Sequence, residues 1–281
     1  MTAEIRDYKQ AAIEQWTADP CGPRIPDLAP GSAGYFHRLL EGRRAYAPWM
    51  SAALGYAGTA GMAVLDVGCG QGLDLAQYAM AGASVTGIDL TPRHVELARA
   101  HLDALGLSGS VVLGDAEALP FAEESFDRVS SNGVLHHTPD MGAALREIRR
   151  VLRPAAEVRI IVYNRSSLHY WCNQVVLTGL LRGGLLREGS MSGVLSSGVE
   201  FSTIGARPLV RVHTPAQVRR MMRQAGLADL RTELRQFKLD DAFLYSRLAR
   251  VLPVLARPSV LDRVGRLAGW YIVASGIRPP S

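Results

Sequence analysis

The sequence predicts an α/β fold: a mostly parallel sheet covered by helices on both faces. Three observations carry this. Residues 63–163 alternate short β-rich runs with helical patterns. The first run ends in three closely spaced glycines and the second in an aspartate. Of the 281 residues, 48% are hydrophobic, enough for one large domain with a substantial core.

The expected strands are AVLDV (63–67), SVTGID (84–89), SVVLG (110–114), FDRVSS (126–131) and EVRIIVY (157–163). Helical patterns lie near 72–81, 92–105 and 140–152. Thr91 is the expected N-cap of the second, and Pro92 opens its first turn. Residues 1–60 read as an N-terminal helical extension, and 61–281 as the α/β domain. Within the extension, the Pro- and Gly-rich segment 18–33 reads as a loop. Segment 34–57 carries Tyr35, Phe36, Leu39, Leu40, Tyr46, Trp49 and Met50 at roughly helical spacing. After Tyr163 the alternation breaks, and residues 165–210 and 238–268 read as two helical insertions. Between them, Thr214, Pro215 and Gly226 cap, open and stop a helix, and 227–237 suits a strand. WYIVASG (270–276) is the last strand.

Composition excludes several classes. There is no apolar run of about 18 residues or more, so no membrane span is expected. The N-terminus lacks a basic region followed by an apolar one, so no secretory signal is expected. Cys21, Cys69 and Cys172 have no metal-ligand spacing, which suits a reduced, cytoplasmic compartment. Charge is uneven: residues 190–281 hold 14 Arg and Lys against 6 Asp and Glu. This basic third reads as a solvated surface, or as one attracted to an acidic substrate or a peripheral membrane contact.

The chemistry concentrates in Val64-Leu65-Asp66-Val67-Gly68-Cys69-Gly70-Gln71-Gly72, where a strand runs into a glycine turn and then a helix. Glycine tolerates positive φ and lets a ligand approach the backbone. Residue 73 is Leu, so the G-x-G-x-x-G spacing of nicotinamide-binding turns is absent. Asp89 ends the second strand where a carboxylate can take ribose hydroxyls. Asp115 follows the third strand, where it can accept from an adenine amine.

In chain order, VLDVGCGQG, GIDL, GDAEALPF, SFDRVSSNGVLHHTPD and LREIRRVLRP resemble the class I S-adenosylmethionine-dependent methyltransferases, in particular the broad ubiquinone/menaquinone methyltransferase-like group. The likeness spans about residues 60–165, with TPAQVRRMMRQAGL (214–227) similar to the helix before that fold's sixth strand. It implies a Rossmann-like seven-stranded sheet whose last strand is antiparallel, and S-adenosylmethionine as cofactor. It also implies site roles. Gly68, Gly70 and Gly72 cradle the methionine part, and Asp66 meets its amino group. Asp89 binds the ribose, Asp115 and Ala116 hold the adenine, and Asn132 lies beside the methionine part. Cys69, Leu90 and Glu117 complete the cofactor set.

The implied reaction is methyl transfer to a small apolar or aromatic molecule, with an oxygen or carbon acceptor favoured. The alternative is a non-catalytic cofactor-binding regulatory module. His137, His136 and Tyr163 are the candidate catalytic residues, or they merely pack and shape their loops. Ser131-Asn132-Gly133-Val134 stands where nucleobase-amine methyltransferases carry an Asn/Asp/Ser-Pro-Pro-aromatic motif, so no nucleic-acid partner is expected. Nor is a metal, since no ligand-like spacing is present. The insertions supply Tyr170, Trp171 and Tyr245 as candidate acceptor contacts under a mobile apolar lid. The competing reading docks these segments on a second subunit of a homodimer or on a membrane. Arg247, Arg250, Arg263 and Arg266 could there meet an acceptor carboxylate or phosphate, or anionic lipid.

These readings predict that the purified chain binds S-adenosylhomocysteine and does not bind NAD. Asp89→Ala should weaken that binding by about 1.5–3 kcal/mol for each charge-assisted hydrogen bond lost, measured by calorimetry. Tight NAD binding without adenosylhomocysteine binding would overturn the family resemblance.

Overall fold

The computed structural model describes residues 3–22, 25, 27–200 and 202–280, with side chains from Tyr8 onward. Positions 23, 24 and 26 of the expected loop, and 201 of the first expected insertion, lie outside the described residues. Three helices come first: α1 (Ala3–Ala18), α2 (Ala33–Tyr46) and α3 (Met50–Leu54). Strand and helix then alternate through β1 (Ala63–Val67), α4 (Leu73–Met80), β2 (Ser84–Asp89), α5 (Pro92–Ala104), β3 (Ser110–Leu113), β4 (Phe126–Asn132), α6 (Met141–Val151) and β5 (Leu152–Tyr163). A wide π-type helix (His169–Leu181), α7 (Gly184–Glu188) and α8 (Met191–Gly198) follow. The chain ends with α9 (Pro215–Gln224), β6 (Ala228–Arg235), α10 (Phe243–Val251), α11 (Pro258–Ala268) and β7 (Tyr271–Ile277).

The seven strands form one sheet in the order β3-β2-β1-β4-β5-β7-β6. The first five run parallel, and β7 lies antiparallel between β5 and β6. Successive strand side chains point to opposite faces. Leu65 and Val67 therefore join Val129, Ile160, Val162, Ile272 and Ala274 under α6 and α9. Val64, Val85, Val111, Ile161 and Val273 face α3, α4 and α5. Both faces are buried, which is why the central strands read as near-continuous apolar runs.

The same alternation sets the polar site. Asp66 pairs in register with Ser130, so Asp66, Ser130 and Asn132 share the face that carries α4. On that face α2 packs Phe36 and Leu39, both fully buried, against Leu73 at the start of α4. The Phe36 ring stacks on the buried His101 of α5 with centroids 4.2 Å apart.

Local expectations meet two outcomes. Thr214 and Gln217 form a full capping box at α9, with Pro215 in the first turn. Thr91 makes no side-chain cap at α5. Instead Asp89 Oδ1 accepts from the Thr91 N–H at 2.9 Å, because the strand's last carboxylate already reaches the open turn. The long separation of the last two strands has a simple cause: α11 lies on β6 and returns the chain so that β7 can insert beside it. No helix among the described residues is long and apolar enough to cross a membrane.

His101 Nδ1 donates to the Gln71 carbonyl at 2.9 Å, and burial holds the ring's pKa below its ordinary value. The unfolded chain therefore binds this proton more readily than the folded one, and stability falls as pH drops below about 6.5. His101→Gln keeps a donor for Gln71 but cannot titrate. Between pH 7 and 5 it should flatten the fall by up to about 1.4 kcal/mol per pH unit, read from urea midpoints. Equal slopes would show that His101 does not carry this linkage.

Candidate functional site

β1 hydrogen-bonds β2 on one side and β4 on the other, so strand order reverses there, and open α/β sheets bind ligands outside such a point. A cavity of about 1090 Å³ occupies it. Its wall runs from Gly68 and Gly70 past Asp89 and Leu90 to Asp115 and Ala116. Asn132, His137 and Tyr163 line it too.

The glycine turn is fixed by sterics. Gly68 has φ +74°, and a Cβ there would lie 2.2 Å from Val134 Cγ2. Gly70 has φ +53°, and a Cβ would meet Cys21 Sγ at 2.5 Å. Side chains are therefore disfavoured by conformation at both positions, and at Gly68 also by contact with Val134. The Gly68 and Cys69 N–H groups donate to the Ile88 carbonyl, which ties the turn to β2. Cys69 and Gly72 do not line the cavity. Cys69 is buried in the α4/α5 core, and Gly72 is the left-handed N-cap of α4.

Asp89 accepts from three protein donors: Gly70 N–H at 2.9 Å, Thr91 N–H at 2.9 Å and His94 Nδ1 at 3.1 Å. A carboxylate offers about four lone-pair sites, so room remains for one hydroxyl hydrogen. Burial alone would raise this carboxyl, but His94 and the two N–H groups hold it below the ordinary range. At the far end Lys9 of α1 pairs with both Asp115 and Glu117. Asp115 Oδ1 also takes the Glu117 N–H at 2.9 Å. Glu117 sits behind the wall, where it takes the Asp140 N–H at 2.6 Å.

A buried polar knot supports the middle of the wall. Asp74 accepts from Arg43 Nη1 at 3.0 Å, the Tyr56 hydroxyl at 2.6 Å and Asn132 Nδ2 at 2.8 Å. Burial disfavours the Arg43 charge, yet Asp74 more than offsets this and holds its pKa above the ordinary value. Asp66 is 2% exposed and takes the Ser130 hydroxyl at 2.8 Å, one layer beneath the wall. Burial, with the Asp74 carboxylate nearby, pushes the Asp66 pKa well up.

Elsewhere on the wall His137 Nδ1 lies 2.7 Å from the Leu209 carbonyl. Only a ring N–H can bond a carbonyl, so in the neutral ring Nε2 carries the lone pair. Nε2 is 3.6 Å from Glu200 Oε1, which accepts from the Tyr163 hydroxyl at 2.7 Å. Burial and Glu200 push the Tyr163 phenol well up, so it acts as a donor. His136 is fully buried behind His137, its ring 3.9 Å from that of Tyr163 by centroids. Burial keeps it neutral.

The three expected acceptor contacts lie outside the cavity wall. Tyr170 is buried against Leu195, Val210 and Trp270. Trp171 points outward and is 51% exposed. Tyr245 packs on Phe237 and donates to the Leu255 carbonyl. The insertions contribute only Glu200 and Thr203 among the described wall residues. The cover is instead the N-terminal extension, through residues such as Ala12, Trp16, Cys21, Tyr35 and Met50. Sequence reasoning found the amphipathic α2 but not its target. Lys9, Trp16, His94 and Glu200 left no local signal, since each meets its partners only after the chain has folded.

Comparison with known proteins agrees with this geometry. The family described as methyltransferase domain matches residues 65–160. Methyltransferase GfsG of Streptomyces halstedii is 41% identical over 105 residues, covering 36% of this chain and 38% of that protein. A ubiquinone biosynthesis O-methyltransferase of Xanthomonas oryzae pv. oryzae is 36% identical over 169 residues, covering 58% and 62%. The chain thus spans less than two thirds of the length of these relatives. Two solved structures share the fold. An S-adenosylmethionine dependent methyltransferase from Mesorhizobium loti has a TM-score of 0.55 at 17% identity, covering 85% of this chain and 100% of that one. The [4+2]-cyclase SpnF has a TM-score of 0.56 at 17% identity, covering 99% and 96%.

Removing one partner of a buried ion pair strands the other. Arg43→Met should cost about 3 kcal/mol of stability by chemical denaturation. A loss under about 1 kcal/mol would mean that Tyr56 and Asn132 suffice to hold Asp74.

Proposed function

The chain carries a class I S-adenosylmethionine-dependent methyltransferase domain, and from that premise we propose that it transfers a methyl group to an oxygen of a small apolar or aromatic molecule. The carrying observation is one continuous cavity lined by Asp89, Asp115, His137, Tyr163 and Glu200 together.

The residues present fit the cofactor. Side-chain-free backbone at Gly68 and Gly70 leaves room for its methionine part. Asp89 retains capacity for a ribose hydroxyl, and Asp115 beside Ala116 for the adenine amine. Asn132 is held by Asp74 at the intervening wall. When bound, S-adenosylmethionine supplies a methyl group already activated on a sulfonium.

The rest of the reading concerns what this chain does. It must hold the acceptor in line, an effect able to supply roughly 7–11 kcal/mol of the barrier. Trp16, Tyr46 and Tyr271 line the cavity and suit an aromatic or apolar body. The Tyr46 and Tyr271 hydroxyls are bonded to each other at 2.9 Å, which fixes both rings. His137 Nε2 offers the lone pair that an acceptor hydroxyl needs for its hydrogen. An oxygen acceptor is also named in the ubiquinone biosynthesis relatives. α1 and α2 contribute Trp16, Tyr35 and Tyr46 to the wall against which the acceptor would lie.

Incubation with S-adenosylmethionine and a panel of hydroxylated aromatic, quinone-like and lipid-like molecules should yield adenosylhomocysteine and a methyl ether. His137→Ala should lower turnover by roughly 10²–10⁴-fold while adenosylhomocysteine affinity is unchanged. Cofactor binding without any turnover across the panel would favour the non-catalytic binding module. Methylation confined to amines or carbons would remove the oxygen acceptor.

A further inference from the structure

We infer that His136, His137 and Glu200 form a site for a divalent transition-metal ion of the zinc type, opening onto the acceptor end of the cavity. Their ligand atoms, one ring nitrogen from each histidine and a carboxylate oxygen, all lie within 4.8 Å of one another. Zinc bonds of about 2.0–2.2 Å place tetrahedral ligands about 3.4 Å apart, so a shift of about an ångström closes the set. The spacing of these residues in the chain gives no hint of it. The fold creates the cluster by carrying the segment after α8 back over the loop after β4.

Three observations point to a ligand. First, both ring nitrogens of His136 are buried, and neither has a hydrogen-bond partner among the described residues. A neutral imidazole carries one N–H and one lone pair, so a built donor is left idle. Second, His137 gives its Nδ1 hydrogen to the Leu209 carbonyl, which aims the Nε2 lone pair at Glu200 Oε1, 3.6 Å away. At this separation the two atoms are not hydrogen-bonded to each other, and they present two ligand atoms to the same point. Third, the supporting partners have the form that metal ligands use: a backbone carbonyl behind His137 and the Tyr163 hydroxyl on Glu200.

Donor type sets the ion class. Two imidazoles and one carboxylate suit zinc and its neighbours; magnesium and calcium prefer oxygen-only sets. Three protein ligands leave a fourth position, and His137 and Glu200 line the cavity, so that position faces it. An ion there would hold an oxygen of the acceptor and lower its pKa. This role rests on the oxygen-acceptor reading, and it makes His137 a ligand rather than a proton acceptor. It also reverses the expectation of no metal drawn from ligand spacing.

The test uses the full chain stripped of metal by chelation and dialysis. Zinc is titrated in competition with a chromophoric chelator, cobalt is followed by visible absorption, and adenosylhomocysteine calorimetry monitors folding. One zinc equivalent should bind, cobalt should give ligand-field bands, and Glu200→Gln should weaken zinc at least ten-fold while adenosylhomocysteine affinity holds. His136→Asn should do the same. If that variant fails to bind adenosylhomocysteine, the wild-type and Glu200→Gln titrations decide alone. Zinc binding equal in wild type and Glu200→Gln, or no binding beyond chelator competition, overturns the site. Undiminished methyl transfer by the metal-free chain overturns the ion's role in the reaction and leaves the oxygen-acceptor reading standing. Zinc bound at these residues with methylation only of nitrogen or carbon does the reverse.

Discussion

The Asp74 carboxylate is the point on which the rest of the site depends. A buried charge without partners is too costly to persist. Asp74 finds its partners on three separate parts of the chain: Arg43 at the end of α2, Tyr56 after α3 and Asn132 at the end of β4. Satisfying one carboxylate therefore fixes the N-terminal extension against the sheet. It also fixes Asn132 at the cavity wall, and raises the pKa of Asp66 beneath it. The extension is then part of the site and not an appendage to it.

From that anchor two parts of the cavity wall are built in different ways. The part proposed to hold the cofactor is made of backbone and strand ends. Gly68 and Gly70 turn at positive φ, and Asp89 is held by N–H groups of its own neighbourhood. The part proposed to hold the acceptor is made of side chains from distant segments. Trp16 comes from α1, His137 from the loop after β4, Tyr163 from β5, Glu200 from the segment after α8 and Tyr271 from β7. The family match covers residues 65–160 and stops short of the covering elements.

The segments after β5 and β6 brace the sheet. The π-type helix and α8 enclose Tyr170, Leu195, Val210 and Trp270. The Trp270 ring stacks on Tyr163 with centroids 4.5 Å apart, which steadies the phenol that holds Glu200. Their apolar composition suggested a lid, yet a Leu-rich helix has the same composition whether it covers a ligand or packs on its own sheet. Composition cannot separate these outcomes, because the hydrophobic effect is non-directional.

The sequence by itself determined the strands, most helices and the glycine turn after the first strand. Each rests on a local rule: period-two burial along a strand, positive φ open to glycine, a Thr-Pro opening with Gln at the third position. Such rules act within a few residues, so they can be read in Val64–Gly72 or Thr214–Gln217 without knowing the fold. Only the tertiary structure decided that Lys9 meets Asp115, that Asp89 accepts the Thr91 N–H while the Thr91 side chain leaves α5 uncapped, and that α1 and α2 cover the cavity. It alone brought Glu200 to His137 and turned Trp171 outward. Those outcomes depend on which buried polar groups find partners across the folded chain, and no segment carries that information alone.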